Sequence, residues 1–467
     1  MQLPATPTES WQSRLKHLGR EYFIVEEMIR LGFLEITPEQ YQLLVDGYAR
    51  LNAINGELQR LGQELKGTED ITPLLKEIRK NRIERVRAKR ALRRVEKARA
   101  RQSRREEVIR RKRQTPFYLG EGVSAGLHFT GTDEAKLAAA GLPVLHTLDD
   151  LAQASGLEAR QWIWLSYHRR VARIDHYTRF EIPKKKGGTR PIAAPKRTLR
   201  QAQQWILEHL LNGRTIHPNA MAFLPGKNIR HNAEKHTGKA VVVRVDLKDF
   251  FPSVKYPRIK GLFRHFGYNE GIATVLALVC TDALRVAARL DGQDYFVALS
   301  ERFLPQGACT SPALTNILCG DVGYLDHRLT CLADKGNWQY SRYADDLVFS
   351  TTDPAADLKS LLGPVRKIVA DEGFVVNPEK TRVMRPHQRQ AVTGVLVNEA
   401  RPRVGRQELR RFRAFLHQMG QIGVPAMSVK LGKDARRYAQ GYWAFVKMVE
   451  PDQASSLLGK HPWLRAQ

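Results

Sequence analysis

The feature that most constrains this chain is a run of β-branched apolar residues that ends in a carboxylate, AVVVRVDL at positions 240–247. Such a run is typical of a buried central strand, and Asp246 would be held rigidly at the end of it. Further along, QYSRYADDLVFSTT at positions 339–352 predicts two strands around a tight turn that carries Asp345 and Asp346. The chain therefore has two places where carboxylates are fixed by a strand.

Helix and strand patterns alternate around these strands. The spacing of apolar residues predicts two helices over 147–167, a hairpin with a Gly-Gly turn over 179–195, and a helix over 199–211. One long helix is predicted over 313–333, and a small helical bundle from Gln407 onwards. This alternation predicts a compact α+β domain.

The N-terminal part of the chain is different, because one segment of it carries half of the net positive charge. Residues 76–113 contain 19 Lys or Arg and 5 Glu, against a net charge of +28 for all 467 residues. The central part of this segment is rich in strong helix formers and has no Gly or Pro, so we expect a long helix. It is either a plain solvated helix or an arm that follows phosphates. Between Trp11 and Leu65 we expect one or two short packed helices.

Charge and cysteine content exclude several classes of protein. An excess of 28 positive charges points to a polyanionic partner, above all nucleic acid. The four cysteines have no Cys-x-x-Cys spacing and are too few for a disulfide framework, so we expect reduced thiols in the cytoplasm. The start of the chain lacks the apolar stretch of a signal peptide, and no apolar run is long enough to cross a membrane. We therefore expect a soluble protein with no membrane partner.

The three carboxylates together suggest a metal site, although each one alone would not. A lone Asp at a strand end is usually a turn or cap residue, and an Asp-Asp pair is usually a solvated turn. Carboxylates fixed on separate strands, however, can hold two Mg²⁺ ions roughly 3.5–4 Å apart, which stabilise both oxygens of a phosphoryl displacement. Mg²⁺ is usually bound by only a few protein carboxylates together with substrate phosphates. The sequence has no Cys/His cluster that would favour zinc.

These residues resemble the motifs of reverse transcriptases. Asp246 and YADD at 343–346 are similar to the catalytic motifs, and LPQGACTSP between them is similar to the substrate-binding loop. IPKKKGGTRP, GFVVNPEKT, VTGVLVN and the C-terminal bundle match further family segments in the family order, over about Thr147 to Pro451. The resemblance implies an α+β right-hand polymerase with fingers, an antiparallel-sheet palm and a helical thumb, preceded by a helical basic extension. The expected bounds are 1–115 for the extension, 116–240 for N-terminal helices and fingers, 241–399 for the palm and 400–467 for the thumb.

The resemblance also implies roles for individual residues. Asp246, Asp345 and Asp346 would be the catalytic residues and the ligands of two Mg²⁺ ions. Phe251 would crowd the 2′ carbon of the sugar and so select deoxynucleotides, although without the family match it would be a core residue. Arg190 and one of Lys184 to Lys186 would hold the triphosphate, since guanidinium binds phosphate at two points. The full set expected to bind the nucleoside triphosphate is Lys184, Arg190, Asp249, Phe251, Gln306, Gly307 and Lys380.

Two shorter motifs resemble signatures of retron reverse transcriptases. HNAEKH places Asn232, Ala233 and His236 before the first catalytic strand, and Val392, Thr393 and Gly394 form the second signature. His236 would recognise the retron RNA or order Asn232, or would be an ordinary structural histidine. The basic extension and its TPFYLGEGVSAGLH junction resemble the long, myxobacterial form of these enzymes.

The retron resemblance implies a specific reaction and specific partners. The enzyme would copy part of a structured noncoding RNA, which is template and primer, into branched msDNA that starts from a guanosine 2′-hydroxyl. Deoxynucleoside triphosphates would be its substrates, and the cDNA product would be a partner together with the RNA. Retron systems act in anti-phage defence, commonly with a separate effector protein.

Other functions remain open from the sequence. Another bacterial or group II intron-like reverse transcriptase would share the catalytic motifs, although no endonuclease or maturase tail is evident here. A non-catalytic RNA-binding scaffold that holds a toxin inactive would share the basic charge. Such a scaffold would not require all three aspartates.

Overall fold

The structure of the chain is a computed structural model that describes residues 10–64, 72–114, 116, 118–184, 187–322 and 324–465. The chain divides into two compact units, one up to Arg104 and one from Arg105 onwards. The helices of the first part are α1 (Trp11–Leu18), α2 (Arg20–Arg30), α3 (Pro38–Glu64) and α4 (Thr72–Gln114), the last of which runs across the boundary.

The first unit is helical in its described residues. Arg14 on α1 donates to Glu26 at 2.5 Å and to Glu27 at 2.9 Å on α2, and the rings of Tyr22 and Tyr48 join α2 to α3. The prediction of one or two short helices was wrong, because there are three and α3 has 27 residues. The C-terminal half of α3 is exposed. Because this half does not pack against other elements, it needs no apolar face, and its sequence has no strong apolar periodicity from which the length of the helix could be predicted. The long basic helix was predicted correctly as α4.

The second unit contains the strands and the remaining helices. The strands are β1 (Val171–Ala172), β2 (Tyr177–Pro183), β3 (Thr189–Pro195), β4 (Val241–Lys248), β5 (Arg285–Leu290), β6 (Gln293–Ala298), β7 (Gln339–Tyr343), β8 (Asp346–Thr351), β9 (Val375–Met384), β10 (Ala391–Val392) and β11 (Val395–Leu396). The helices are α5 (Glu134–Ala139), α6 (Leu148–Ser155), α7 (Ala159–Ser166), α8 (Arg197–Ile206), α9 (Ile229–Glu234), α10 (Phe250–Ser253), α11 (Tyr256–Phe266), α12 (Glu270–Cys280), α13 (Ser311–Ile317), α14 (Leu325–Lys335), α15 (Leu358–Asp371), α16 (Arg406–Leu431), α17 (Ala435–Val449) and α18 (Pro451–Lys460).

A four-stranded antiparallel sheet, in the order β7-β8-β4-β9, forms the centre of this unit. Alternate residues of β4 enter different cores: Val243 and Val245 belong to the larger core, and Val242 belongs to a second core shared with the C-terminal helices. Both faces of the sheet are therefore buried. This explains why β4 is apolar without alternation, as the sequence predicted.

The surrounding elements position the ends of the sheet. The predicted hairpin is β2–β3, and the predicted helix pair is α6–α7. A three-stranded sheet of β1, β6 and β5 lies apart from the central sheet. The C-terminal bundle of α16, α17 and α18 forms as predicted, with α16 kinked at Gly423, where φ is 82°.

The long helix predicted over residues 313–333 is wrong. The chain forms α13, then a π-helical turn over Leu318–Val322, and begins α14 after Tyr324, whose φ of 56° is incompatible with a continuing right-handed helix. Gly320 lies against His217, where an added Cβ would come within 3.1 Å of the His217 Cβ. The apolar periodicity continues through this break, but glycine and valine in this stretch weaken the helix locally.

Candidate active site

The structure brings the predicted carboxylates together at one end of the central sheet. Asp246 on β4 lies directly opposite Asp346 on β8 in the antiparallel register. Asp345 precedes it in the two-residue turn between β7 and β8, and its carbonyl oxygen accepts a hydrogen bond from Leu247 N at 2.9 Å. Ala344, the other turn residue, has a φ of 56°, a left-handed value that a tight hairpin turn requires.

Burial and mutual repulsion act on these carboxylates. Burial is the main cause that raises the pKa of Asp345, and the negative charge of Asp246 raises it further. Burial likewise raises the pKa of Asp346 to about 6, although the Arg244 guanidinium nearby opposes the change. A site of this kind favours whatever cation can neutralise its charge.

Two basic side chains contact the carboxylates directly. Lys380 Nζ on β9 lies 3.0 Å from both carboxylate oxygens of Asp246. Arg244 Nε lies 3.6 Å from Asp346 Oδ1. Sequence reasoning missed Arg244, yet a signal existed: it is two residues before Asp246 on the same strand, so both side chains project from one face.

The donor set fits divalent magnesium better than a softer metal. Within the described residues, no group of three or more His, Cys, Asp or Glu side chains is arranged to hold an ion by itself. Mg²⁺ does not need such a group, because it is usually bound by one or two carboxylates together with substrate phosphates. Asp246 with Asp345 and Asp346 could supply those carboxylates.

The residues predicted to bind a nucleotide lie on elements near this site. Arg190 on β3 is close enough to Asp345 for its charge to lower the pKa of that carboxyl against the effect of burial. Lys184 is exposed at the end of the β2–β3 hairpin, where its N–H donates to Gly188 O at 2.9 Å. Lys185 and Lys186, the other candidates at this tip, lie outside the described residues.

The loop after β6 approaches β3 closely. Ala193 N donates to Gln306 O at 2.8 Å, which joins this loop to the hairpin. Gly307 has a φ of 118°, and an added Cβ would lie 2.6 Å from Ala193 O. Only glycine fits at this position without moving the backbone.

Asp249 and Phe251 follow the first catalytic strand. Asp249 is exposed, with a left-handed φ of 46°, and its carbonyl oxygen accepts from Ser253 N at 2.8 Å at the start of α10. Phe251 is half-buried, and its ring centre lies 5.6 Å from that of Phe250 and 6.2 Å from that of Phe223. Part of the Phe251 ring therefore remains open to a ligand.

The two short signatures meet on one face of the central sheet. Ala233 on α9 and Val392 on β10 pack in the same core, and Thr393 Oγ1 donates to Ile229 O at 3.4 Å. Thr393 and Gly394 form the turn between β10 and β11, with φ values of 49° and 86°.

The first signature is too deeply buried to touch RNA. Asn232, Ala233 and His236 are each 0% exposed. His236 contacts the hydroxyls of Ser350 and Ser341, each at 2.7 Å, and Ser341 donates to Asn232 Oδ1 at 2.6 Å. Burial lowers the pKa of His236 to about 3, so the ring is neutral. Their burial disfavours direct RNA recognition, and hydrogen bonds through Ser341 connect His236 to Asn232, in agreement with the other alternative.

Comparison with known proteins identifies the family. Residues 182–404, which include all three aspartates, match the family described as reverse transcriptase (RNA-dependent DNA polymerase). The chain is 40% identical to the retron Mx162 reverse transcriptase of Myxococcus xanthus over 343 residues, which is 70% of this chain and 69% of that protein. It is 41% identical to the retron Mx65 reverse transcriptase of the same organism, over 70% of this chain and 73% of that protein.

The chain is a retron reverse transcriptase. It is thus an RNA-directed DNA polymerase with the right-hand fold, in which the central sheet is the palm and the C-terminal bundle is the thumb. Among solved structures, telomerase from Candida albicans with a TWJ fragment of telomeric RNA is similar at a TM-score of 0.36 and 11% identity, over 58% of this chain and 59% of that one. No helix in the described part of the enzyme is both long and apolar enough to span a membrane.

Proposed function

We propose that this retron reverse transcriptase copies part of a structured noncoding RNA into branched msDNA, with Asp246, Asp345 and Asp346 as the ligands of two Mg²⁺ ions. The observation that carries the proposal is the pairing of Asp246 with Asp346 across two strands, beside the turn that presents Asp345. When bound, the ions stabilise the attacking and leaving oxygens of nucleotidyl transfer. The protein contributes a rigid frame that holds the carboxylates in place.

Other residues would bind and orient the incoming nucleotide. Arg190 and Lys184 are placed on the hairpin to hold its triphosphate, since cations that match developing charge stabilise phosphoryl transfer. The loop at Gln306 and Gly307 lies close to β3, and its backbone would line the bound nucleotide. The half-buried Phe251 ring would exclude a 2′-hydroxyl.

Lys380 and Asp249 have less direct roles in this proposal. Lys380 contacts both oxygens of Asp246, so it balances the charge of that carboxylate and is available to a phosphate nearby. Asp249 contributes its backbone to the start of α10 and would orient the triphosphate side of the site.

The wider role follows from the family. We infer that synthesis starts from a guanosine 2′-hydroxyl of the partner RNA, that the system acts against phages, and that an effector is a separate protein. The domain bounds we propose are 1–115, 116–240, 241–399 and 400–467 for extension, fingers, palm and thumb. The four cysteines are free, and we propose a cytoplasmic location for the enzyme.

A primer-extension assay tests the catalytic part of the proposal. The full chain is supplied with a primed RNA template, Mg²⁺ and either deoxy- or ribonucleotides. Asp345→Asn should abolish extension, whereas Asp294→Asn, at a side chain that is 78% exposed, should leave it unchanged. Phe251→Ala should admit ribonucleotides. Extension that persists in Asp345→Asn would remove the metal assignment, and intact sugar discrimination in Phe251→Ala would remove the role of that ring.

The nucleic acid that copurifies with the enzyme tests the retron product. Sequencing should recover one structured RNA joined to DNA through a 2′ oxygen. Linear cDNA from many unrelated RNAs would instead favour an intron-like enzyme. RNA without any DNA would favour a non-catalytic scaffold.

A further inference from the structure

A buried arginine lies beneath the turn that carries Asp345 and Asp346. Arg342 on β7 and Asp326 on α14 are both completely buried. The guanidinium binds the carboxylate at two points, with Nε donating to Oδ1 at 2.8 Å and Nη2 donating to Oδ2 at 2.7 Å. Two parallel hydrogen bonds of this kind fix the plane of the guanidinium as well as its position.

The remaining edge of the guanidinium faces the turn. Arg342 Nη1 donates to Asn316 Oδ1 at 3.0 Å and to the carbonyl oxygen of Ala344 at 3.4 Å. The next carbonyl oxygen, that of Asp345, accepts from Leu247 N at 2.9 Å. Two successive carbonyl groups of the turn are therefore held, one from β4 and one by the guanidinium.

This contact acts on a backbone that is not in a relaxed conformation. Ala344 has a Cβ and yet a φ of 56°, a region that residues other than glycine rarely adopt. Such a conformation persists only where the surroundings hold it. The Arg342 backbone is fixed as well, because its N–H donates to Asn219 O and its carbonyl oxygen accepts from Met221 N, both at 2.8 Å.

Stability alone does not explain a charged pair in this position. A buried ion pair can often be replaced by apolar side chains of similar size without loss of stability. Leu347, opposite Arg342 on β8, belongs to the larger palm core, as does Tyr340, whose hydroxyl also donates to Asp326 Oδ1 at 2.8 Å.

We propose that Arg342 is a positioning residue: through the Ala344 carbonyl it sets the direction in which the Asp345 and Asp346 carboxylates point. It does not touch the substrate. The inference rests on the proposed role of these two aspartates as metal ligands.

The test is a double variant, Arg342→Met with Asp326→Leu, which removes both charges and keeps the volume. Its thermal unfolding midpoint should fall only by what the lost Tyr340 hydrogen bond accounts for, because the buried ion pair itself contributes little. Its single-turnover rate of nucleotide addition should fall about 10²-fold, as expected for reacting groups displaced by about 1 Å. The Mg²⁺ concentration for half-maximal rate should rise, while the affinity for primed template stays the same.

A matched control comes from the same helix. Arg328 on α14 pairs with Asp371 at 2.6 Å and Glu372 at 3.1 Å, away from the turn, and Arg328→Met should change neither the rate nor the Mg²⁺ requirement. A folded double variant with normal rate and normal Mg²⁺ requirement would overturn the proposal. If the double variant does not fold, Arg342→Lys carries the test with the same two measurements, and failure of both variants to fold would assign the pair to the fold alone.

The same assay separates this inference from the proposed function. If Asp345→Asn retains its rate, the metal assignment itself is wrong. If Asp345→Asn is inactive and the double variant is normal, only the role of Arg342 is wrong.

Discussion

Replacing Asp346 with asparagine should stabilise the folded enzyme at neutral pH, even though it removes a proposed metal ligand. Burial raises the pKa of Asp346 from its ordinary value of 3.8 to about 6. The folded state therefore binds a proton more tightly than the unfolded state. Below about pH 4 the group is protonated in both states, and as the pH rises towards 6 and beyond, the folded state loses stability. Asparagine carries no charge and avoids this loss.

The size of the effect follows from the size of the shift. A rise of about two pKa units corresponds to about 3 kcal/mol between the fully protonated and fully ionised limits. With these two pKa values, about 1 kcal/mol of it falls between pH 5 and pH 8. The stability advantage of Asp346→Asn over the unchanged enzyme should therefore grow by about 1 kcal/mol across that interval.

Urea unfolding in the presence of EDTA measures this difference. The unchanged enzyme, Asp346→Asn and the exposed-site control Asp294→Asn are compared at pH 5 and pH 8, with the control expected to show no growth. With Mg²⁺ in place of EDTA, the difference in unfolding free energy between Asp346→Asn and the unchanged enzyme should become smaller at pH 8. An ion that binds only the folded state stabilises it, and the unchanged enzyme keeps all the proposed ligands. An advantage of Asp346→Asn that is constant with pH, or larger at pH 5, would show that ionisation of Asp346 does not destabilise the folded state.

Three further predictions address other parts of the enzyme. His236→Leu should lower the free energy of urea unfolding by about 1–3 kcal/mol, because it removes the His236 contact from the buried Ser350 hydroxyl and leaves Ser341 with Asn232 alone; an unchanged value would show that the hydroxyls find other partners. Gly307→Ala should raise the KM for deoxynucleotides in steady-state extension, since the new Cβ would force the loop away from Ala193 O; a normal KM would exclude this loop from nucleotide binding. Removal of residues 1–113 should weaken RNA binding and flatten its dependence on salt in filter-binding titrations, if the basic helix follows phosphates. An unchanged salt slope would identify α4 as a solvated helix.

The centre of the fold was predictable because its signals are local. The apolar run of β4 marks a strand buried on both faces, and the YADD segment places a two-residue turn between two strands. Each pattern depends only on neighbouring residues, and together they put the three aspartates at strand ends. The opposition of Asp246 and Asp346, by contrast, depends on the register between strands 100 residues apart, which no local pattern encodes.

The contacts that tune the site were less accessible to sequence reasoning. Lys380 reaches Asp246 from a strand that is 134 residues further along the chain. The burial of His236 also depends on long-range packing, because α9 is short and its apolar residues do not show which face is covered. The break between α13 and α14 was missed as well, because the apolar period continues through it and the positive φ of Tyr324 has no signal in the sequence.

The side chains of β7 fix the register of this strand, and with it the residues that form the turn between β7 and β8. Ser341 and Arg342 are consecutive, so their side chains lie on opposite faces of the palm sheet. Ser341 completes the hydrogen bonds of His236 and Asn232 on one face, and Arg342 pairs with Asp326 on the other. A slip of one residue would exchange the two faces.

After such a slip, the guanidinium would lie among the apolar residues of the thumb-side core and Asp326 would keep a buried charge without a partner. Breaking a buried pair in this way costs about 3–5 kcal/mol, a large part of the stability of a typical domain. The two polar networks of β7 therefore exclude the neighbouring register. Since the turn begins two residues after Arg342, excluding the slip also fixes which residues form the turn, and so which carboxylates reach the end of the sheet.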